Sequence, residues 1–222
     1  ITIPYKEKVF DLCDEISPIA KKVKAINTLK LNHKKEWSGI NTDVEGFIYP
    51  LKNYDLKNKK SIVLGSGGAA RAAIQGLINL KLSEINIISR NIYALEKIIN
   101  DFENHPSLNI YLNRDIRNLE LIEDSDVIIN STPIGMNNQS DNQNVLPFGI
   151  NFWKSLSSKT IIYDLVYNPR PTNLLKLGQQ KNCITIDGSE MLVAQGAKSL
   201  SYWTGELDIP INIMKNALNN YL

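Results

Sequence analysis

The stretch Lys60-Ser61-Ile62-Val63-Leu64-Gly65-Ser66-Gly67-Gly68-Ala69-Ala70-Arg71 constrains this chain more than any other. Ser61 to Leu64 is a short apolar run of the kind that a strand buried on both faces needs, and glycines follow it at once. Ala69, Ala70, Ala72, Ala73, Ile74, Leu77, Ile78 and Leu80 then supply good helix formers with apolar residues three and four apart, which predicts a helix over 69–80. A strand, a glycine turn and a helix in that order aim the helix N–H groups and positive dipole end at the turn, where an anionic group such as a pyrophosphate is favoured. One glycine permits the sharp turn, one lets phosphate approach the backbone and one lets helix and strand pack closely. The pattern Gly65-x-Gly67-Gly68-Ala69-Ala70 is shorter than a full GxGxxG fingerprint, and a plain tight turn is the competing explanation. A second apolar run, Ile85 to Ser89, follows about twenty residues later, as a βαβ nucleotide-binding unit requires.

From Ser61 onward strands and helices alternate. Helices are expected over 69–80, 93–102 and 172–180, and strands over 61–64, 85–89, 109–112, 126–130, 160–165 and 183–186. Such alternation implies an α/β fold, a Rossmann-type doubly wound parallel sheet covered on both faces. Ligands of such sheets bind beyond the carboxyl ends of the strands, which here gathers Gly65–Gly68, Arg90, Ser131–Gly135, Val166–Asn168 and Gly188 on one side.

The first fifty residues read differently. Ile1 to Ile3 reads as an edge strand stopped by Pro4, without a methionine and as though the chain begins in mid-domain. A helix is expected over 7–16, with Val9, Phe10, Cys13 and Ile16 on one face. Ser17-Pro18 marks another helix start, Ala25–Leu31 and Trp37–Ile40 pair around a polar turn, and Asn41-Thr42-Asp43 caps a helix over 44–51. The polar, aperiodic stretch from Lys52 to Lys60 is the expected domain boundary. The organisation expected is residues 1–52 as the remainder of a first domain, 61–187 as a nucleotide-binding domain, and 188–222 as C-terminal helices that return to the first domain.

Composition enters mainly by exclusion. With 43% hydrophobic and 22% charged residues among 222, the chain is ordinary for a soluble globular protein. The net charge of +2 is dispersed and gives no argument for nucleic acid or membrane binding. Cys13 and Cys183 are too few for a metal site and suit a reducing cytoplasmic setting. His33 and His105 fall in polar loops and read as bystanders.

The end of the second strand bears on the nucleotide. An NAD site would place an acidic residue there to hold the ribose 2′-hydroxyl, whereas this chain reads Ile88-Ser89-Arg90-Asn91. A guanidinium suits a 2′-phosphate, so NADP is the expected cofactor, with a surface pairing of Arg90 and Glu96 as the alternative. Lys6 and Asp43, both at element ends, are candidates for proton transfer to or from an alcohol. Their residue types fit a structural ion pair equally well, and spacing alone leaves the two open.

Seven motifs then occur in order: Thr2-Ile3-Pro4-Tyr5-Lys6, Ala25-Ile26-Asn27-Thr28, Gly39-Ile40-Asn41-Thr42-Asp43-Val44-Glu45-Gly46, Gly65 to Arg71, Asn130-Ser131-Thr132-Pro133-Ile134-Gly135-Met136, Asp164-Leu165-Val166-Tyr167-Asn168-Pro169 and Met191 to Ala197. The series resembles the shikimate dehydrogenase family (shikimate/quinate dehydrogenases) over essentially the whole chain. The resemblance implies reversible NADP-dependent reduction of 3-dehydroshikimate to shikimate on the route to aromatic amino acids. It implies Lys6 as general acid/base and Asp43 as the group orienting the substrate hydroxyl and the lysine. Thr2, Asn27, Tyr167 and Gln195 fall where the family binds substrate, and residues 1–52 would be the remainder of its substrate-binding domain. Gly65, Gly67, Gly68 and Ala69 would hold the pyrophosphate, Arg90 the 2′-phosphate, and Ser131, Thr132, Gly188 and Met191 the ribose and nicotinamide side. No metal is implied, and a monomer or homodimer is expected.

Two departures accompany the resemblance. The family carries a longer start to its substrate domain, with a serine-x-serine motif that grips the substrate carboxylate. Members also often have a second basic residue four positions after the one matching Arg90, where this chain has Ala94. The alternatives these raise are an NAD-using quinate/shikimate dehydrogenase and a nucleotide-binding module without catalysis. A related dehydrogenase acting on a folate or a tRNA-linked substrate would not need the motifs around Lys6 and Asp43.

Overall fold

The computed structural model describes residues 1–2, 4–113, 120–136 and 146–221. Its centre is a six-stranded parallel sheet built from β4 (Lys60–Leu64), β5 (Glu84–Ser89), β6 (Leu108–Leu112), β7 (Val127–Asn130), β8 (Ile161–Asp164) and β9 (Ile184–Ile186). The spatial order is β6-β5-β4-β7-β8-β9. Two half-sheets therefore run outward from the β4–β7 pair, which is where the strand order reverses and where a doubly wound sheet opens its crevice. The expected Rossmann-type sheet is the one found, with strand boundaries within a residue or two of those read from sequence.

Period-two alternation sorts the side chains of each strand to opposite faces. On one face Val63, Ile85, Ile87, Val127, Ile129, Ile161 and Tyr163 form a core with Ile74 and Leu77 of α3 (Gly68–Asn79) and Leu95 and Ile98 of α4 (Ile92–Asp101). On the other, Ile62, Leu64, Ile88, Ile128 and Ile162 meet Ile122 of α5 (Glu120–Glu123), Trp153, and Leu174 and Leu175 of α6 (Asn173–Gln180). A helix layer on each face explains why the strands read as nearly continuous apolar runs.

The first part of the chain forms a smaller three-stranded sheet of β1 (Glu15–Ile16), β2 (Thr28–Leu31) and β3 (Trp37–Ile40), in the order β1-β3-β2. Here β2 runs antiparallel to β3, as expected, and α1 (Pro18–Val23) starts at Ser17, whose hydroxyl accepts the Ala20 N–H. The helix expected over 7–16 is absent. Turns and a single 3-10 turn at Phe10–Leu12 lead instead into β1 (Glu15–Ile16), which pairs parallel with β3. Asp14 N–H bonds the Trp37 carbonyl at 2.9 Å and Ser17 N–H the Gly39 carbonyl at 3.0 Å, so tertiary pairing takes the backbone groups that a helix would have used. Ile1 and Thr2 are irregular rather than strand; Ile3 and Leu222 lie outside the described residues.

Helix α2 (Asp43–Ile48) is wedged between α3 and the long helix α7 (Ser189–Thr204). A Cβ on Gly76 of α3 would stand 2.4 Å from Phe47, and one on Gly46 of α2 would stand 2.8 Å from Gln195 of α7. These two glycines let three helices approach closely enough to carry their polar ends into one place. The final helix α8 (Ile211–Tyr221) is tied to the start of α7 through the Lys215–Glu190 ion pair.

Candidate active site

Lys6 follows a turn closed by Tyr5 N–H on the Thr2 carbonyl, and its own carbonyl accepts the Ile26 N–H at 2.8 Å. Its ammonium lies 2.6 Å from Oδ2 of Asp43, the first residue of α2. Both side chains are largely shielded from water, and the carboxylate sits at a helix N-terminus, where negative charge is stabilised. The other carboxylate oxygen, Oδ1, accepts the Asn27 amide at 2.9 Å. Asn27 Nδ2 also reaches Thr42 Oγ1 at 2.8 Å and Gln195 Oε1 at 3.4 Å, while Asn27 Oδ1 accepts from the Thr42 N–H and the Thr28 hydroxyl.

Lys6, Asp43, Asn27 and Gln195 are thus brought together from four segments. Thr2 lies exposed four residues before Lys6, and Tyr167 is half-buried in the loop after β8. Sequence reasoning missed three members of this network, Thr28, Thr42 and Ser199. Ser199 lies 2.7 Å from the Thr28 hydroxyl and 3.1 Å from that of Thr42. Its signal was available, since Ser199 is one helical turn beyond Gln195 on the same face of α7.

The glycine turn lies across from this cluster. Gly65 has φ +114°, a conformation that favours glycine, and its N–H bonds the Ile88 carbonyl. Gly67 is the N-cap of α3, and a Cβ added there would meet open space. Open space above the turn and helix amides directed at it fit a pyrophosphate. A Cβ on Gly68, by contrast, would stand 3.3 Å from Cδ of Lys6, so the lysine stem lies against the first turn of α3, close to half-buried Ala69.

The ribose side is built from hydroxyls and loop turns. Ser66 and Ser89 hydroxyls are 2.8 Å apart and join the glycine turn to the end of β5. Arg90 follows, exposed, and among the described residues it has no carboxylate partner, Glu96 included. The Ser131 hydroxyl bonds the Leu64 carbonyl at 2.6 Å, and the Thr132 hydroxyl bonds Asn130 Oδ1 at 2.6 Å. Gly188 is pressed against the loop that follows β8, where a Cβ would fall 2.1 Å from the Leu165 carbonyl oxygen. Met191, in the first turn of α7, is buried in the core on that face of the sheet.

Asp164 ends β8 beneath these loops. Its buried carboxylate accepts from Asn130 Nδ2 at 2.8 Å, the Thr172 hydroxyl at 2.6 Å and the Val166 N–H at 3.1 Å. Burial pushes the carboxyl up to about 6 against the pull of these donors. Among the described residues no cluster of His, Cys, Asp and Glu is arranged to hold a metal ion, and no helix is long and apolar enough to cross a membrane.

Comparison with known proteins places this arrangement in context. Residues 1–29 match the shikimate dehydrogenase substrate binding domain, 50–143 the shikimate/quinate 5-dehydrogenase family and 188–218 the shikimate 5′-dehydrogenase C-terminal domain. The shikimate dehydrogenase (NADP(+)) of Prochlorococcus marinus strain MIT 9312 is 64% identical over 222 residues, all of this chain and 78% of that protein. That of Nostoc sp. strain PCC 7120 is 39% identical, over all of this chain and 77% of that protein. A crystal structure of a shikimate dehydrogenase in complex with NADP+ superposes with TM-score 0.85 at 31% identity, over 99% of this chain and 75% of that one. Quinate dehydrogenase from Corynebacterium glutamicum in complex with NAD gives TM-score 0.85 at 26% identity, over 99% of this chain and 76% of that one. On these matches, which run from the first residues to the last helix, the chain belongs to the shikimate dehydrogenase family.

Proposed function

We propose that this protein catalyses the reversible NADP-dependent reduction of 3-dehydroshikimate to shikimate, a step in making aromatic amino acids. The observation that carries this reading is the contact of Lys6 with Gly68: a proton-transfer pair lies directly against the helix that begins at the phosphate turn. The relatives named for this activity are similar over the whole chain, which supports it.

NADPH, when bound, supplies the hydride. The glycine turn Gly65–Ala69 would hold its pyrophosphate, Arg90 its 2′-phosphate, and Ser131, Thr132, Gly188 and Met191 would lie on its ribose and nicotinamide side. Lys6 donates a proton to the substrate carbonyl oxygen as that oxygen gains negative charge, and takes the proton back in the oxidative direction. Asp43 fixes the ammonium in place through the 2.6 Å bond and accepts from the substrate hydroxyl. Asn27 and Gln195 present further polar groups to the substrate, with Thr2 and Tyr167 at its edge. Asn27 is itself held by Thr42 and Thr28, so its amide is oriented before substrate arrives.

Lys6→Ala tests this assignment. Turnover of shikimate is expected to fall by about 10²–10⁴-fold while the Kd for NADPH stays near that of the parent. Undiminished turnover would remove Lys6 from the chemistry. Rates with NADP and NAD, and with shikimate and quinate, test cofactor and substrate choice. A single arginine at the 2′-phosphate position, with Ala94 four residues on, favours NADP less strongly than a basic pair would. Arg90→Ala is expected to weaken NADPH by about tenfold and to leave NADH unchanged.

A further inference from the structure

Arg71 is the fourth residue of α3 and the most buried basic side chain among the described residues, with 1% of its side chain exposed. It lies one helical turn beyond the glycines, and its guanidinium reaches away from the phosphate turn into the first part of the chain. Nη2 bonds Oδ2 of Asp101, at the end of α4, at 2.6 Å. Nη1 bonds the carbonyl of Val23, at the end of α1, at 3.3 Å. Nε lies 3.7 Å from Oε2 of Glu7 and, among the described residues, has no hydrogen-bond partner. Glu7 is held in turn by Lys97 of α4 at 2.9 Å.

The two segments gripped in this way are those that carry the candidate site. Glu7 is adjacent to Lys6, and Val23 lies four residues before Asn27. The same segments are joined to each other by the Ile26 N–H on the Lys6 carbonyl. Burying a guanidinium is costly unless it is paired, and a helix of this alanine-rich composition needs no arginine at this position for its own stability.

We propose that Arg71 is a positioning residue that couples the phosphate turn to Lys6 and Asn27, setting the distance between the cofactor and the proton donor. The forked guanidinium bridges three elements at fixed angles, which a flexible ammonium does not reproduce. Its catalytic consequence rests on the function proposed above, whereas the coupling does not.

Amide hydrogen exchange with and without NADPH, combined with kinetics, tests both. In the parent protein NADPH binding is expected to slow exchange in residues 4–10, where Lys6 lies against Gly68, and in residues 23–28, which the Val23 carbonyl ties to Arg71. Arg71→Lys keeps a cation for Asp101; it is expected to bind NADPH within about threefold of the parent yet to lose most of that slowing, at least about fivefold. Turnover should fall about tenfold or more, with a larger deuterium isotope effect from 4-deuterated NADPH, because hydride transfer then starts from a misplaced geometry. Equal protection of both segments in parent and variant, or unchanged turnover, overturns the proposal. Should Arg71→Lys fail to fold, Glu7→Gln gives the same readout for residues 4–10, with the same two outcomes. If the parent protein binds NADPH and protects both segments but does not oxidise shikimate, the proposed function fails while the coupling stands. If it oxidises shikimate and exchange in these segments ignores NADPH, the coupling alone fails.

Discussion

The Cβ that Gly68 lacks would stand 3.3 Å from Cδ of Lys6. The absence of one methyl group therefore lets the lysine stem lie on the helix whose amides face the phosphate turn. Gly68→Ala adds a good helix former at a site with unstrained backbone, so thermal stability should be equal or higher. The lysine must move by a few tenths of an ångström or more, and turnover should drop by about tenfold with NADPH affinity nearly retained. Melting curves and steady-state kinetics on the same preparation check both halves; unchanged turnover would show that the stem adapts without loss.

Two other glycines should separate stability from binding. At Gly67 a methyl group meets nothing within 4 Å, so Gly67→Ala should alter stability by no more than about 0.5 kcal/mol. It fills the space above the turn, however, and should weaken NADPH by about tenfold or more, about 1.4 kcal/mol. At Gly188 the added Cβ would fall 2.1 Å from the backbone oxygen of Leu165, just after β8, which cannot rotate away. Gly188→Ala should cost about 3 kcal/mol of stability. Denaturant titration with and without NADPH distinguishes the two.

Asp164 makes stability depend on acidity in a defined direction. Its carboxyl titrates near 6 in the folded protein, against 3.8 for an unperturbed aspartate, so the folded state holds this proton more tightly than the unfolded chain. The resulting stabilisation is complete below pH 3.8 and is lost as pH rises through about 6. Its size is about 3 kcal/mol, as an order of magnitude. Asp164→Asn removes this dependence. Urea denaturation from pH 4 to 7 should show the parent gaining on the variant as the solution is acidified, and parallel profiles would contradict it.

Tyr163 stacks on Phe47 with ring centroids 5.2 Å apart, and its buried hydroxyl has no hydrogen-bond partner among the described residues. Tyr163→Phe keeps the stack and removes an unsatisfied polar group. It should be neutral or raise stability by about 1 kcal/mol. Calorimetric unfolding measures this; a clear loss would mean that the hydroxyl finds a partner in solution.

The main sheet was legible because a buried parallel strand is a local signal. Ser61–Leu64 or Val127–Asn130 is apolar on both faces and is bounded by glycine or polar residues, so no distant residue is needed to read it. The expected helix over 7–16 failed for the opposite reason. Its face of Val9, Phe10, Cys13 and Ile16 was real, but Glu15 and Ile16 pair with Ser38 and Gly39, a contact that no window around residue 12 contains. The site divided in the same way. Lys6 and Asp43 stood out by residue type and by family motif, whereas Ser199, Thr28 and Thr42 are ordinary polar residues until the fold buries them around Asn27. Arg71 was hidden most completely, since an arginine on an alanine-rich helix reads as a solvated face and only the tertiary structure shows it enclosed.

Helix α7 starts at a turn fixed to β8 and ends against the small sheet, where the Tyr202 hydroxyl bonds Ser38 and the Trp203 indole N–H bonds the Leu29 carbonyl. Its sixteen residues span about 24 Å, so one rigid rod carries Gln195 and Ser199 at a set distance from Gly188. Anyone grafting a foreign nucleotide module onto this protein should therefore splice ahead of Gly188 and retain the native rod. A graft that imported the rod with the module would bring mismatched side chains to Asn27 and Thr42, and would assemble two sound halves around a broken hydrogen-bond network.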